Sequence, residues 1–321
     1  MIRVGVIGFG RWGINLARCA AAHVDCRLSA ICDLSVERRQ AAAHIHPGTR
    51  LESDCRALIA DPDLDALLLA TPTATHFPLA RAALSAGKHV MVEKPIARTS
   101  QEVAALIAGA EHRRLVLMTD HTYVFSPAVA TMRALLAGGT LGEIHAVDSV
   151  RMNGDGIHRD VDVLWDLGTH DLSILDYLFG GAPCTVRAVR CDPEFSAALA
   201  LVYPGGLAAD IKVGWRGDAR ARRMQIMGSK GTLLFDDLQP VDKLTVRLGV
   251  GAEARAFHPP LEQVEPLHNV VEHFAACILR GARPLSDGAA GLRVVRLLET
   301  ASRSLASGGR EIPVGADEAV A

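Results

Sequence analysis

Two acidic residues and a histidine interrupt an apolar helical stretch near the middle of the chain. The stretch runs from Asp162 to Ser173 (DVLWDLGTHDLS), and its apolar residues recur every three or four positions, which is typical of a helix packed into a core. In such a helix Asp166 and His170 project from the same face. An aspartate beside an imidazole can fix its tautomer and stabilise its protonated form, as a general base requires. The alternative is a core histidine near a helix N-terminus whose acidic residues favour the dipole.

A lysine follows one of the apolar strands in the first third of the chain. The run HVMVEKP (89–95) places Glu93 and Lys94 where the strand leaves the core. A lysine there is either a solvent-exposed strand end or a group that reaches a nicotinamide ring and a substrate hydroxyl. Pro95 disfavours helical geometry at Lys94 and fixes the chain direction.

A glycine-rich loop near the N-terminus has the context of a dinucleotide-binding site. The loop GFGRWG (8–13) directly follows a strand and precedes a helix, and Asp33 ends the next strand, 20 residues after Gly13. The glycines let the backbone approach a pyrophosphate at the helix N-terminus. Asp33 would accept hydrogen bonds from the ribose hydroxyls and repel a 2′-phosphate, which favours NAD over NADP. Arg38 and Arg39 lie about a turn further on and weaken that preference.

The secondary-structure patterns that must position these residues differ between the two parts of the chain. From residue 2 to about 120, apolar runs alternate with helical patterns, which predicts a parallel sheet covered on both faces; the runs are 2–8, 28–33, 66–71, 89–95 and 115–119. After about residue 121, strand patterns separated by the turn signals PGG (204–206) and GSKG (228–231) predict a mostly antiparallel sheet.

The expected domains are therefore 1–120, an α/β dinucleotide-binding domain, and 121–321, an α+β domain for substrate binding and oligomerisation. A terminal helix over about 288–306 belongs to the second domain or packs back on the first. The tail after Gly308 is expected to be loosely held.

Composition excludes several classes of function. The chain has 321 residues, 22% of them charged, and a net charge of −2, so it has no electrostatic footprint for nucleic acid. No apolar run approaches the length of a membrane span. The seven cysteines are scattered, without a Cys-x-x-Cys pair or a zinc-type spacing, which predicts reduced thiols and no metal. A strand that starts at residue 2 leaves no room for a signal peptide, so we expect a cytoplasmic protein.

Five features together resemble the glucose–fructose oxidoreductase / inositol dehydrogenase / rhizopine catabolism (Gfo/Idh/MocA) oxidoreductases. They are GFGRWG (8–13), Asp33, ATPTATH (70–76), VEKPIA (92–97) and DLGTHD (166–171). Residues 291–308 are also similar to the family's closing helix, so the resemblance covers residue 2 to about 308. It implies an α/β Rossmann domain with a parallel sheet, followed by a substrate domain with a large, open, mostly antiparallel sheet that mediates a homodimer or homotetramer.

The resemblance also implies roles for individual positions. Lys94, Asp166 and His170 would face the nicotinamide across the domain cleft, with His170 as base or acid on the reacting hydroxyl and Asp166 orienting it. Lys94 would polarise the same oxygen, while the hydride passes to or from NAD. The expected NAD-binding residues are Gly8, Phe9, Gly10, Arg11, Trp12, Gly13, Asp33, Thr71, Pro72, Thr73, His76, Glu93 and Lys94.

Two segments, 151–180 and 265–288, resemble the branch that includes UDP-N-acetylglucosamine 3-dehydrogenases and related sugar 3-keto reductases. That branch implies oxidation of the C3 hydroxyl of a nucleotide sugar, with UDP-N-acetylglucosamine as the leading candidate and a downstream aminotransferase as a partner in polysaccharide or lipid A biosynthesis. The expected substrate-binding residues are Lys94, Tyr123, Arg151, Asn153, Arg159, Asp166 and His170. The alternative for Arg151 and Arg159 is that they are surface residues of a strand and its loop.

Three other functions stay open at this stage. One is an inositol or free-sugar dehydrogenase or ketosugar reductase. Another is an NAD-dependent glycoside hydrolase that oxidises C3 transiently and keeps its NAD. The last is a non-catalytic sensor of cofactor or sugar, against which the joint presence of Lys94, Asp166 and His170 argues.

Overall fold

The structure is a computed structural model that describes residues 1–154, 160–192, 194–249 and 254–315. The chain forms two compact units. Met1–Phe125 and Val264–Val295 form the first, and Ser126–Gln263 forms the second together with the chain from Arg296. The predicted single boundary at residue 120 placed residues 264–295 in the second domain, whereas in the structure they belong to the first unit. That segment belongs to the first unit because its helix contacts the helix that follows the glycine loop.

Six parallel strands form the sheet of the first unit, in the order β3-β2-β1-β4-β5-β6. The strands are β1 (Ile2–Ile7), β2 (Cys26–Cys32), β3 (Arg50–Glu52), β4 (Ala66–Leu69), β5 (His89–Glu93) and β6 (Leu117–Asp120). The sequence predicts all of them except β3, which has only three residues and no fully buried one. The parallel, doubly covered sheet is confirmed.

Helices connect these strands and complete the first unit. They are α1 (Gly13–Ala22), α2 (Val36–Ile45), α3 (Cys55–Ala60), α4 (Thr73–Ser85), α5 (Ser100–Arg113), α8 (Pro266–Arg280) and the first turns of α9 (Gly288–Ala306), as far as Val295. The start of α9 lies close to the sheet, since a Cβ added at Gly291 would lie 2.7 Å from Thr119 Oγ1.

Nine strands form the sheet of the second unit, in the order β14-β13-β12-β11-β7-β10-β9-β8-β15. The strands are β7 (Ile144–Met152), β8 (Thr185–Asp192), β9 (Ser196–Val202), β10 (Ala208–Gly214), β11 (Ala221–Gly228), β12 (Gly231–Asp236), β13 (Leu244–Leu248), β14 (Arg255–Phe257) and β15 (Ile312–Pro313). Only the β7–β10 pair is parallel among the described pairs, so the mostly antiparallel sheet is confirmed. Helices α6 (Pro127–Ala137) and α7 (Thr169–Phe179) belong to the same unit.

Within the tail, residues 309–315 are held more firmly than the sequence predicts. Strand β15 pairs with β8, with Ile312 opposite Val186. The main-chain N–H of Val314 donates to the carbonyl of Cys184 at 2.9 Å. The edge of β8 offers unpaired backbone groups, and the described part of the tail satisfies them.

No helix among the described residues is long and apolar enough to cross a membrane.

A buried ion pair ties α7 to the sheet of the second unit. Arg151 on β7 donates from Nε to Asp171 Oδ2 at 2.7 Å and from its Nη2 to Oδ1 at 3.1 Å. Ser149, two residues earlier on the same strand, donates to the same Oδ1 at 2.8 Å. The side chains of Arg151 and Asp171 are only 5% and 2% exposed. The two buried charges of this pair therefore compensate each other.

We expect Asp171→Ala to lower the free energy of unfolding by about 3–5 kcal/mol, because it leaves the Arg151 guanidinium buried without its counter-charge. Urea unfolding of the full chain measures this cost. The double variant Arg151→Met/Asp171→Leu should recover most of it, since apolar side chains of similar size carry no charge to desolvate. Asp63→Ala is the matched control: its carboxylate pairs with Arg3 but is 85% exposed, so it should cost far less. Equal costs for Asp171→Ala and Asp63→Ala would contradict this account.

Candidate active site

The glycine loop is built by main chain packing against main chain at the end of β1. Gly8 has a φ of +94°, and a Cβ there would lie 2.4 Å from the carbonyl oxygen of Ala70. A Cβ at Gly13, the first residue of α1, would lie 1.9 Å from the carbonyl oxygen of Gly8. Neither position admits a side chain. At Gly10 the nearest atom to an added Cβ is the Arg38 Nη1, at 3.6 Å, so this glycine is not required by packing within the protein.

The start of α1 fits a bound pyrophosphate. No described side chain caps its first turn, and that turn carries no acidic residue. Uncapped amides and the positive end of the helix dipole are what an anion needs. Near Gly10, the only group of the described residues within 4 Å of an added Cβ is the flexible Arg38 guanidinium, so a phosphate can approach the backbone there. The residues present therefore fit NAD, whose pyrophosphate the loop 8–13 would hold.

Asp33 is a buried carboxylate at the end of β2, 7% exposed. Its Oδ2 accepts the main-chain N–H of Phe9 at 2.7 Å and its Oδ1 accepts that of Ser35 at 2.9 Å. The guanidinium of Arg38 lies 3.5 Å from Oδ2, with its side chain 58% exposed. Arg39 instead donates to the carbonyl of Asp33 at 2.7 Å. Asp33 thus fixes the glycine loop and places Arg38 beside the edge that a ribose would approach.

The loop after β4 is tied to the loop after β5 by a histidine. His76, on α4 and 1% exposed, has Nδ1 2.8 Å from the carbonyl oxygen of Pro95 and Nε2 2.8 Å from that of Thr71. Pro72 precedes the first residue of α4, Thr73, and no described side chain caps this helix either. The predicted cofactor residues of this loop therefore lie at a second helix N-terminus on the carboxyl edge of the sheet, where ligands bind in such sheets.

The ends of β5 and β6 bring two carboxyl groups side by side. Glu93 is opposite Asp120 on the neighbouring strand, and the two side chains are in hydrogen-bond contact. Trp12 Nε1 of the glycine loop donates to Asp120 Oδ2 at 2.9 Å, and Thr122 Oγ1 donates to Oδ1 at 2.7 Å. The main-chain N–H of Lys94 donates to Glu93 Oε2 at 3.0 Å. Lys94 therefore follows a strand end that is connected to the glycine loop.

Burial dominates the electrostatics at this edge. It raises the pKa of Glu93 well above the usual value, and the negative charge of Asp120 raises this pKa further. The pKa of Asp120 is also raised by burial, although hydrogen bonds from Glu93 and Thr122 oppose the shift. Burial lowers the pKa of His121 to about 3, with a contribution from the charge of Lys94. His121 is therefore neutral near pH 7.

In the second unit, Asp166 lies in a π-helical turn rather than in the regular helix that the spacing predicts. The turn spans Leu164–Gly168, and α7 begins only at Thr169. Trp215 Nε1 donates to Asp166 Oδ2 at 2.8 Å, and Asp166 is 7% exposed. Single π-helical turns occur frequently at functional sites. The carboxylate is thus buried and oriented by a tryptophan from beyond the end of β10.

His170 is the second residue of α7 and is partly exposed. Its carbonyl accepts the hydroxyl of Ser173 at 2.8 Å. The next residue is Asp171, whose ion pair with Arg151 anchors this end of the helix to β7. His170 is therefore carried on a segment held at two neighbouring points, Asp166 by Trp215 and Asp171 by Arg151.

The remaining predicted substrate residues lie in different places. Arg151 is 4% exposed and its guanidinium is bonded to Asp171. Asn153 follows β7, with its main-chain N–H bonded to the carbonyl of Gly214 at 3.0 Å. Tyr123 belongs to the first unit, in a 3-10 turn over Thr122–Phe125. Arg159 lies outside the described residues.

The roles of three residues at these sites were missed by the sequence reasoning. Asp120 ends an apolar strand, just as Asp33 does, and that position was the available signal. Trp215 carried no signal at all, and Asp171 stood out as an acidic residue in a helical stretch, but its role did not. Their contacts, to Asp166 and Arg151, join residues 49 and 20 positions apart in the chain.

Comparison with known families matches both units. A model of the oxidoreductase family with an NAD-binding Rossmann fold (Gfo/Idh/MocA) matches residues 2–121. A model of the C-terminal domain of the same family matches residues 129–234.

Individual relatives extend the match over nearly the whole chain. Inositol 2-dehydrogenase from Rhizobium meliloti is 28% identical over 95% of this chain and 97% of its own length. UDP-N-acetylglucosamine 3-dehydrogenase from Acidithiobacillus ferrooxidans is 30% identical over 92% of this chain and 94% of its own length. A solved structure of the latter enzyme superposes with a TM-score of 0.85 at 28% identity, covering 96% of this chain and 98% of the other.

The parallel sheet with its glycine loop and terminal Asp33, the mixed sheet of the second unit and the two family matches agree with one another. This chain belongs to the Gfo/Idh/MocA family of oxidoreductases, and its first unit is an NAD-binding Rossmann domain.

Proposed function

We propose that this chain oxidises the C3 hydroxyl of a nucleotide-linked hexose, with NAD as acceptor and UDP-N-acetylglucosamine as the leading substrate. The observation that carries the proposal is the position of Lys94. It follows β5 at the carboxyl edge of the Rossmann sheet, and its main chain is linked through Glu93 and Asp120 to Trp12 of the glycine loop. A cation held beside a nicotinamide site suits an alcohol oxygen on which negative charge develops.

The acid–base role belongs to His170 in this proposal. His170 takes the proton of the C3 hydroxyl, and Asp166 fixes the orientation of the imidazole and stabilises its charged form. Trp215 donates to one oxygen of Asp166, which holds the carboxylate in one orientation. Lys94 donates to the same substrate oxygen as the proton leaves. Bound NAD supplies the hydride acceptor.

In this proposal Arg151 does not contact the substrate and acts through Asp171. Its guanidinium is bonded to both oxygens of Asp171, so we assign it to holding the start of α7, beside His170, in place of the phosphate contact that the sequence suggested. A nucleotide diphosphate would still supply binding energy remote from C3, which helps to hold that carbon in reacting geometry.

A second candidate is an inositol or free-sugar dehydrogenase. The inositol 2-dehydrogenase relative is nearly as similar to this chain as the UDP-N-acetylglucosamine enzyme, at 28% against 30% identity. Both substrates present a secondary ring alcohol, for which the proposed roles of Lys94 and His170 are the same. An NAD-retaining glycoside hydrolase would use the same groups but show no net turnover of added NAD.

The proposal extends to the assembly and location of the protein. The open face of the nine-stranded sheet carries apolar side chains among charged ones: Val150 and Val202 are 37% and 40% exposed, and Asp148, Asp210 and Lys212 lie on the same face. This face supports a homodimer or homotetramer. The free thiols of all seven cysteines support a cytoplasmic location. The ketone product suits a downstream aminotransferase, as in polysaccharide or lipid A biosynthesis.

NAD should bind more tightly than NADP, because the carboxylate of Asp33 repels a 2′-phosphate. Calorimetric titration of both dinucleotides into the apo protein tests this. Asp33→Asn should narrow the ratio of the two Kd values by at least about tenfold, the scale of one lost hydrogen bond to a charged group. Arg38→Ala should widen the ratio, since Arg38 is the exposed cation beside Asp33. Tighter binding of NADP to the wild-type protein would reverse this assignment.

Lys94→Ala and His170→Ala should each lower turnover by at least about 100-fold, the scale of losing a positioned acid–base group, while NAD still binds. Asp166→Asn should be damaging but less so, because it removes the orienting charge and keeps the base. Steady-state kinetics with calorimetric NAD binding measure both effects. Lys230→Ala and His112→Ala, on exposed residues, are the matched controls. Near-normal turnover of His170→Ala would mean that His170 has only a structural role.

The substrate is tested by NADH formation from UDP-N-acetylglucosamine, with mass spectrometry for the loss of two hydrogens. The equilibrium should favour the alcohol near neutral pH, so a ketone trap or a coupled aminotransferase is needed. UDP- and dTDP-hexoses and inositol are assayed in parallel. Turnover of inositol without turnover of any nucleotide sugar would select the second candidate.

A further inference from the structure

The contact between Glu93 and Asp120 contains two acceptors and no protein donor. Glu93 Oε1 is buried, and no N–H or O–H group of the described residues bonds to it. Its neighbour is the carboxyl group of Asp120, which is 0% exposed. Two ionised carboxylates in such contact would repel each other after losing their hydration. A single proton between them removes both costs.

We propose that Glu93 is a neutral carboxylic acid whose hydroxyl donates to the Asp120 carboxylate, and that this acid pair is a positioning device for Trp12 and Lys94. The hydrogen-bond geometry identifies the donor. Asp120 already accepts two hydrogen bonds, from Trp12 Nε1 and Thr122 Oγ1, as an ionised carboxylate does. Glu93 Oε2 accepts the main-chain N–H of Lys94, whereas Oε1 has no hydrogen-bond donor among the described residues, which leaves Oε1 to carry the hydrogen.

The shared proton completes a continuous path across the carboxyl edge of the sheet. It runs from the Trp12 indole through Asp120 and Glu93 to the main chain of Lys94. Trp12 lies within the glycine loop and Lys94 directly after β5, so the path fixes two loops that flank a bound dinucleotide relative to each other. Without the proton the middle contact becomes repulsive, and the two loops lose this connection.

The groups around the pair agree with one proton and one negative charge. Lys94 is the neighbouring cation and lowers the pKa of both carboxyl groups. Cys19 of α1 has a pKa raised to about 11, mainly by burial and in part by Asp120, so it is a neutral thiol. His121 is neutral, with a pKa of about 3. Lys94 and the shared negative charge therefore balance.

This inference rests on the proposed function only for the role of Lys94, and the proton itself is tested without a sugar. Infrared spectroscopy of the full chain near pH 7.5 should show the C=O stretch of one protonated carboxylic acid. The band should disappear in Glu93→Gln. It should also disappear in Asp120→Asn, whose amide can donate to Glu93 and allow it to ionise. Glu111→Gln, an exposed glutamate on α5, should leave the band unchanged.

The shared proton should also make the free energy of unfolding depend on pH. Because the pKa of Glu93 is raised in the folded protein, unfolding releases its proton, and stability is lost as the pH rises from the ordinary value to the folded one. We therefore compare the unfolding equilibrium constants of the wild type and of Glu93→Gln. The ratio of the wild-type constant to the variant constant should grow about tenfold per pH unit above about pH 5. Urea unfolding at several pH values measures this ratio, with Glu111→Gln as the control.

The positioning role has its own readout in NAD affinity. The amide of Glu93→Gln reproduces the neutral donor, so this variant should bind NAD at least about fivefold more tightly than Glu93→Ala, the scale of one hydrogen bond. A missing infrared band in the wild type, a band that persists in Glu93→Gln, or a pH-independent stability ratio would overturn the shared proton. Equal NAD affinities of Glu93→Gln and Glu93→Ala would overturn the positioning role. Failure to oxidise any sugar would count against the proposed function alone.

Discussion

The close packing of backbone against backbone at the end of β1 is the constraint on which the cofactor site depends. Gly13 starts α1 against the carbonyl of Gly8, and Gly8 in turn lies against the carbonyl of Ala70 after β4. A methyl group at either glycine would overlap a carbonyl oxygen that cannot move without shifting a strand. This contact directs the first turn of α1 toward the carboxyl edge of the sheet, where Asp33 and Lys94 also lie.

Asp33 and the glycine loop could be predicted because their signals are local. A tight turn requires glycine at fixed positions, and a carboxylate at the end of the next strand follows from the spacing of the unit. The alternation of apolar runs also predicted five of the six parallel strands. Strand β3 was not predicted, because three residues that are only partly buried leave no periodic pattern to detect.

The electrostatic partners of the site could not be predicted, because they are set by tertiary contacts. Trp12 and Asp120 are 108 positions apart, and neither sequence segment indicates that the two residues are in contact. The same holds for Trp215, which orients Asp166 from a distant strand end. The predicted helix around His170 existed, but its first turn widened into a π-helical turn that residue spacing does not reveal. Arg151 was recognised as notable for its charge, whereas its burial and its pairing with Asp171 are set by tertiary contacts.

The return of residues 264–295 to the first unit has a consequence for how the protein is synthesised. Thr119 on β6, the edge strand of the parallel sheet, exchanges hydrogen bonds with Ser286, and Arg18 of α1 pairs with Glu265. When the ribosome has completed residue 125, all six strands exist but the segment that pairs with β6 and contacts α1 does not. Nascent chains thus carry an uncovered strand edge, a hazard for aggregation, until Ser286 has been translated. Chaperone binding to the nascent chain is expected to be strongest in this interval, well before release of the completed protein.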